Sequence, residues 1–251
     1  MAQDSEAAAP TGEHPDRLVV AARQIRVKGP WGPTYGPIDL EIKEGGLTVL
    51  VGPSGRARNA LLLTLAGRMR PTSGHISILG FDDDARSAFK HSTVAALDAV
   101  DEIEQSVRVR DLITEQRRWD APWYKLIKQA THEHLEQMCR PVFGDLPLPP
   151  MHEFVERLTE LDNVLLRVAV ANTRHRPLLV VGGLDEMTSD DERAKAYERL
   201  AELARTQTVV TADENAYPGM PGVREVIHVH HLHTADVEAL AKAEHAKGRR
   251  H

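Results

Sequence analysis

The sequence predicts an α/β fold: a mixed or parallel sheet flanked by helices, with a mostly helical segment inserted in mid-chain. Three observations carry that expectation. The runs Leu47–Val51 and Leu178–Val181 are continuously apolar and rich in β-branched residues, as strands buried on both faces are. Helical patterns alternate with such runs. One strand passes through a glycine-rich turn, GPSG at 52–55, straight into a helical stretch, Asn59–Met69, with Leu61, Leu62, Leu65, Ala66 and Met69 at helical spacing.

The elements follow in order. Residues 1–16 are rich in Ala, Pro, Gly, Asp and Glu without apolar period, which predicts a flexible tail. Leu18–Val27 and Ile38–Ile42 read as strands around a turn segment, GPWGP at 29–33, whose Gly and Pro exclude a helix. After the glycine turn and its helix, Ile76–Leu79 and Thr93–Leu97 are strand candidates. Residues from about Val107 to Ala171 read as mainly helical, broken by prolines at Pro147–Pro150, with a second helical run over Val155–Val170. Leu178–Val181 is a buried strand, Ala194–Ala204 an amphipathic helix, and Thr208–Thr211 and Val223–Val229 a last pair of strands. Residues 242–251 read as a solvated helix end or tail.

Composition narrows the function. The 251 residues carry 31 Lys+Arg and 37 Asp+Glu, a formal charge of −6, and 41% are hydrophobic, enough for one sizeable core. An acidic balance without a basic stripe argues against nucleic acid as a partner. No apolar run is long enough for a membrane-spanning helix and the first residues lack the pattern of a signal peptide, so a soluble, cytosolic chain is expected. A single cysteine, Cys139, excludes an intrachain disulfide framework and a multi-cysteine zinc site.

The glycine turn is the main candidate site. A strand ending in such a turn and opening a helix aims backbone N–H groups and the positive helix end at one point, where a phosphate can sit. The full pattern, G-x-x-x-x-G-K-[ST], places a lysine on the terminal phosphates and a hydroxyl on Mg²⁺. Here Gly52, Pro53, Ser54, Gly55, Arg56, Ala57, Arg58, Asn59 and Ala60 occupy it. Arg58 retains the positive charge with a different shape. Asn59 offers an amide oxygen to Mg²⁺ in place of a hydroxyl. Ala57 would be strained by about 1–3 kcal/mol if its position required a left-handed backbone. An ordinary strand-to-helix turn without ligand accounts for the same residues.

With its flanks, residues 46–80 (GLTVLVGPSGRARNALLLTLAGRMRPTSGHISILG), this segment resembles the ATP-binding cassette family of ABC transporters, in which a Leu-Ala-Gly helix end, a Pro-Thr-Ser-Gly turn and a strand ending in glycine follow the phosphate loop. The similarity extends in family order from Leu18 to about Val229. Residues 106–112 (SVRVRDL) look like the opening of the helical subdomain, 167–181 like the helix and strand after the signature motif, and Thr208–Asp213 like the switch region. The resemblance implies a P-loop NTPase-like ABC ATPase core. It divides the chain into a tail at 1–16, one nucleotide-binding domain at 17–233 with a helical subdomain at about 105–172, and a C-terminal helix or tail at 234–251.

The same resemblance shows degenerate chemistry. The signature glycines are replaced by Leu158-Thr-Glu-Leu-Asp162, whose side chains and two acids would obstruct phosphate. The switch histidine falls on Ala212. Leu97 or Asp98 stands where a Mg²⁺-linked glutamine is expected. Asp185 and Glu186 spell an acidic motif about two residues late. Bulging the strand at Gly182–Gly183 would let Asp185 support Mg²⁺ and Glu186 orient water; the ungapped register, which is favoured, matches Asp190 instead and leaves both as loop residues. Trp31, with Tyr35 second, could stack on adenine or pack against its prolines. The implied cofactors are ATP and Mg²⁺. The implied partners are an integral membrane transporter subunit and a second cassette subunit, as homodimer or heterodimer, at the inner face of the membrane. Weak or absent hydrolysis is expected, and a pseudo-ATPase acting as a structural or regulatory module is the alternative.

Three weaker features remain. His228 and His230 could chelate a metal from one strand face, within a cluster that includes His231 and His233, although polar strand-end residues are the default. Cys139 has no setting that would activate a thiol. Trp119, Trp123, Leu126 and Ile127 follow helical spacing and suit subdomain packing or a membrane-protein partner.

Overall fold

The structure, a computed structural model, describes residues 17–29, 32–97, 107–215, 220 and 222–232. The two predicted tails, Trp31, Asp98 and His233 lie outside the described residues.

Two sheets and a helical layer build the molecule. β1 (Leu18–Gly29) pairs antiparallel with β2 (Gly32–Lys43) and with β4 (Ser73–Ile78), and the two-residue β5 (Phe81–Asp82) extends that sheet to the order β2-β1-β4-β5. The second sheet is wholly parallel: β6 (Ser92–Ala95), β7 (Leu178–Gly183), β8 (Thr208–Asp213), β3 (Leu47–Val51) and β9 (Val223–His228), in the spatial order β6-β7-β8-β3-β9. Its central strands are apolar because both faces are covered. Alternate residues divide between two cores: Leu50, Val180, Val210 and Ala212 pack with the antiparallel sheet and α1 (Arg56–Leu65), while Leu47, Val49, Leu179, Val181 and Val209 pack beneath the helices.

Those helices are α3 (Val109–Asp120), α4 (His132–Phe143), α5 (Glu160–Ala171) and α6 (Asp190–Leu203); α2 (Ala85–His91) lies between β5 and β6 and has no counterpart in the sequence reading. Asp84 caps α2, accepting from the backbone N–H groups of Arg86 and Ser87. Cys139, Val142 and Phe143 of α4 meet Leu165 and Leu166 of α5 and Tyr197 and Leu200 of α6 in the second core. Burial pushes the Cys139 thiol up to about 12.

Several boundaries differ from expectation. α1 opens at Arg56 and closes at Leu65, rather than running from Asn59 to Met69, because the helix begins directly after Gly55. α3 stops at Asp120, so the helical spacing read through Trp123, Leu126 and Ile127 is coincidental; Pro122 denies that continuation a backbone donor. α6 begins four residues before Ala194, at a Ser189 cap that accepts from the Glu192 backbone N–H at 3.3 Å.

Candidate functional site

The parallel sheet brings three connections together at the C-terminal ends of β7, β8 and β3, where ligands of open α/β sheets bind. The loop after β3 is Gly52–Gly55. Its first N–H, from Gly52, donates to the Asp213 carbonyl at 3.0 Å, which ties it to the end of β8. Gly55 has φ of 115°, a conformation open to glycine and costly to other residues, and it turns the chain into α1 without a side-chain cap. Ser54, Gly55 and Arg56 are exposed, and the first N–H groups of α1, from Arg56 onward, have no side-chain cap. Ala57 and Ala60 are buried in α1, and Ala57 has ordinary helical rather than left-handed backbone, so the strain considered for it is absent.

Arg58 takes an unexpected course. Its side chain is 2% exposed and turns under the loop, donating to the Gly52 carbonyl at 3.3 Å and to Asp185, which is 9% exposed, at 3.0 Å; the closest approach of that ion pair is 2.8 Å. Gly183 makes the space. A Cβ there would lie 2.5 Å from an Arg58 terminal nitrogen and 2.6 Å from an Asp185 oxygen. The Arg58 Nε is buried without a hydrogen-bond partner.

β7 carries the bulge that the less favoured register required. Pairing of β7 with β8 shifts between Val180 and Gly183, which carries Asp185 to the phosphate loop. Asp190, the alternative, opens α6, is largely exposed and pairs with Arg193. Glu186 is exposed and shares with Asn59, Leu97, Leu158, Asn163 and Arg167 a cleft of about 350 Å³. Two oxygen donors of the kind Mg²⁺ accepts, Asn59 and Glu186, thus line one cleft beside the loop.

A residue that sequence reading missed completes the mouth of the loop. Glu214, just past β8, accepts a hydrogen bond from the Ser54 backbone N–H at 3.0 Å. Hydrogen bonds from Ser54 hold its carboxyl below the usual glutamate range, with a smaller contribution from the Arg58 charge. A carboxylate thus lies on a donor that the loop would otherwise turn to phosphate. Only the side-by-side placement of β8 and β3 could have revealed it.

The other candidates fall as follows. Tyr35 is fully buried and donates to Thr64 Oγ1 at 2.7 Å, so it cannot stack on a base; burial pushes its hydroxyl up to about 12. Ala212, at the switch position, is buried in β8, and its neighbour Asp213 accepts from the Tyr197 hydroxyl at 2.7 Å. The stretch at the signature position is a helix start: Thr159 caps α5 by accepting from the Asp162 N–H at 3.1 Å, Glu160 accepts from the Thr188 N–H at 2.7 Å, and the Leu161 N–H donates to Glu192 at 3.0 Å. Burial, then the charge of Glu192, raises the Asp162 carboxyl above its ordinary value. Among the described residues no group of three or more His, Cys, Asp or Glu is placed to hold a metal ion. His231 contacts the Pro37 carbonyl at 3.0 Å.

Comparison with known proteins bears on the fold and the family. The iron(III) import ATP-binding protein FbpC of Vibrio cholerae is 50% identical over 52 residues, which is 21% of this chain and 15% of FbpC. The hemin import ATP-binding protein HmuV of Nitrobacter winogradskyi is 28% identical over 156 residues, 61% of this chain and 55% of HmuV. The chain thus spans little more than half, or far less, of these relatives. In fold it is similar to cbiO1 of Clostridium perfringens, part of the ABC transporter complex cbiONQ, with a TM-score of 0.60 and 13% identity over 80% of each chain. It also matches an ABC-transporter cassette solved in its ADP conformation, with a TM-score of 0.65 and 9% identity over 84% of this chain and 89% of that one. The profile of the ABC transporter family matches residues 35–215, from β2 to just past Glu214. That span holds the glycine turn at 52–55, Asp185, Glu186 and the helices between them, and the chain belongs to the ABC transporter family.

Proposed function

We propose that the chain is the ATP-binding subunit of an ABC transporter, working beside an integral membrane subunit and binding ATP at Gly52–Ala60 with weak or no hydrolysis. The observation that carries this reading is the uncapped start of α1 behind Gly55 at the C-terminal edge of a parallel sheet, a cradle of backbone N–H groups for phosphate. Asn59 and Glu186 would hold Mg²⁺ together with phosphate oxygens and water, and the bound metal would neutralise charge on those phosphates. Weak turnover is supported by Arg58, whose guanidinium is already engaged by Asp185. Ala212 cannot take part in proton transfer, and such groups contribute about 10²- to 10⁴-fold. The names of the relatives support a place in import systems, with FbpC and HmuV carrying ATP-binding roles there.

A second reading, a pseudo-ATPase with a structural or regulatory role, is favoured by Glu214 on the Ser54 N–H. Two measurements separate them. A ligand at 100 times its Kd stabilises the native state by about 2.7 kcal/mol, so millimolar MgATP should raise Tm under the first reading. If no shift occurs, nucleotide binding is refuted. Phosphate release that falls in Glu186→Gln assigns hydrolysis to this site; release equal in the wild type and the variant excludes hydrolysis here. Turnover seen only on mixing with a second cassette subunit would place the missing groups across a heterodimer.

A further inference from the structure

The last turn of α3 and its connection to α4 hold four of the large apolar side chains that stand most in water among the described residues: Trp119 is 74% exposed, Trp123 96%, Tyr124 75% and Leu126 91%. The connection has a defined base. Arg117 donates to the Lys128 carbonyl at 3.1 Å, the Ala130 N–H donates to Thr114 Oγ1 at 2.9 Å, and the Lys125 N–H closes a turn on the Pro122 carbonyl at 2.9 Å. Beyond that base the Trp123 and Tyr124 rings meet edge to face, with centroids 6.0 Å apart.

Charge sets this projection apart from the rest of the chain. Between positions 117 and 128 lie Arg117, Arg118, Lys125 and Lys128 against one acid, Asp120, which Arg174 approaches at 3.5 Å; the whole chain has 31 cations and 37 acids. The lysines are interleaved with the apolar residues in Trp-Tyr-Lys-Leu-Ile-Lys, 123–128. An apolar protein groove receiving this run would desolvate both ammonium groups, which is costly without partners. A bilayer surface takes both: indole and phenol rings seat at headgroup level, while lysine stems reach back to lipid phosphates.

We propose that the segment Trp119–Lys128 is an interfacial anchor that seats on an anionic lipid surface. This goes beyond the transporter-subunit reading, and the lipid contact is measurable with neither nucleotide nor membrane subunit, so the two can fail separately.

The test is flotation of the full chain with phosphatidylcholine vesicles, with and without phosphatidylglycerol. Binding is expected only to the anionic vesicles, weakening as salt rises. In a Trp31→Phe background the remaining indole emission should move to the blue on binding. Lys125→Gln/Lys128→Gln should weaken partition by about 25-fold, about fivefold per cation. Trp123→Ala/Leu126→Ala should weaken it and diminish the blue shift. Circular dichroism checks that these surface variants remain folded. No partition into anionic vesicles, or partition unchanged in both double variants, overturns the proposal. Partition only into vesicles that carry a membrane subunit also overturns it and assigns the loop to a protein partner.

Discussion

Replacing Asp185 by alanine tests the architecture of the loop most directly. The Arg58 side chain lies on α1 beneath the loop and is 2% exposed, and its remaining hydrogen bond, to the Gly52 carbonyl, is long at 3.3 Å. Removing one partner of a buried pair costs about 3–5 kcal/mol because the other charge stays buried. For a domain of about 150–250 residues that is a fall in Tm of roughly 6–20 °C. Asp185 lies on the connection after β7 and is nearer to water than Arg58, 9% exposed against 2%, so Arg58→Met should cost less. The double variant Arg58→Met/Asp185→Leu should recover most of the loss, since replacing both members of such a pair with apolar groups is often near neutral. Urea and thermal unfolding of the four proteins give the coupling energy. A cost below about 1 kcal/mol for Asp185→Ala, or additive single variants, would refute the claim that the pair is a buried unit.

Three further outcomes follow from the same structure. Glu214→Gln should tighten MgATP binding by roughly fivefold, the weight of one unit charge at about 4 Å in water, and calorimetric titration shows whether it does. Because contacts with Ser54 depress the Glu214 carboxyl, its bond is fully present above the ordinary glutamate range and is lost as pH falls through the lowered value, so the Ser54 amide resonance should titrate with a midpoint below that of a free glutamate. Thr159→Ala should destabilise the fold by about 1 kcal/mol, the usual weight of a helix cap, in equilibrium unfolding; no loss would show that this stretch is not held as the start of α5.

The central strands were readable because burial on both faces writes itself into local composition: Leu47–Val51 forms β3 with the predicted bounds, and Leu178–Val181 lies within β7. The strand, glycine turn and helix at 47–65 were readable for a similar reason, since they are contiguous in the chain. The loop after α3 was not. Its aromatic spacing imitates a helix, and whether Trp123 and Leu126 are packed or exposed depends on neighbours that local periodicity cannot report. The register of the acidic motif was equally closed, because a bulge at Val180–Gly183 is a matter of how β7 pairs with β8.

From the sequence by itself came the α/β class, the order of the main strands and helices without β5 and α2, the glycine turn and the family resemblance, all properties of residues near one another in the chain. The tertiary structure decided which charges meet. Arg58 and Asp185 lie 127 positions apart and Ser54 and Glu214 lie 160 apart. Each pair is joined because β7, β8 and β3 are adjacent in space, and the strength of each depends on how much water the surrounding fold excludes.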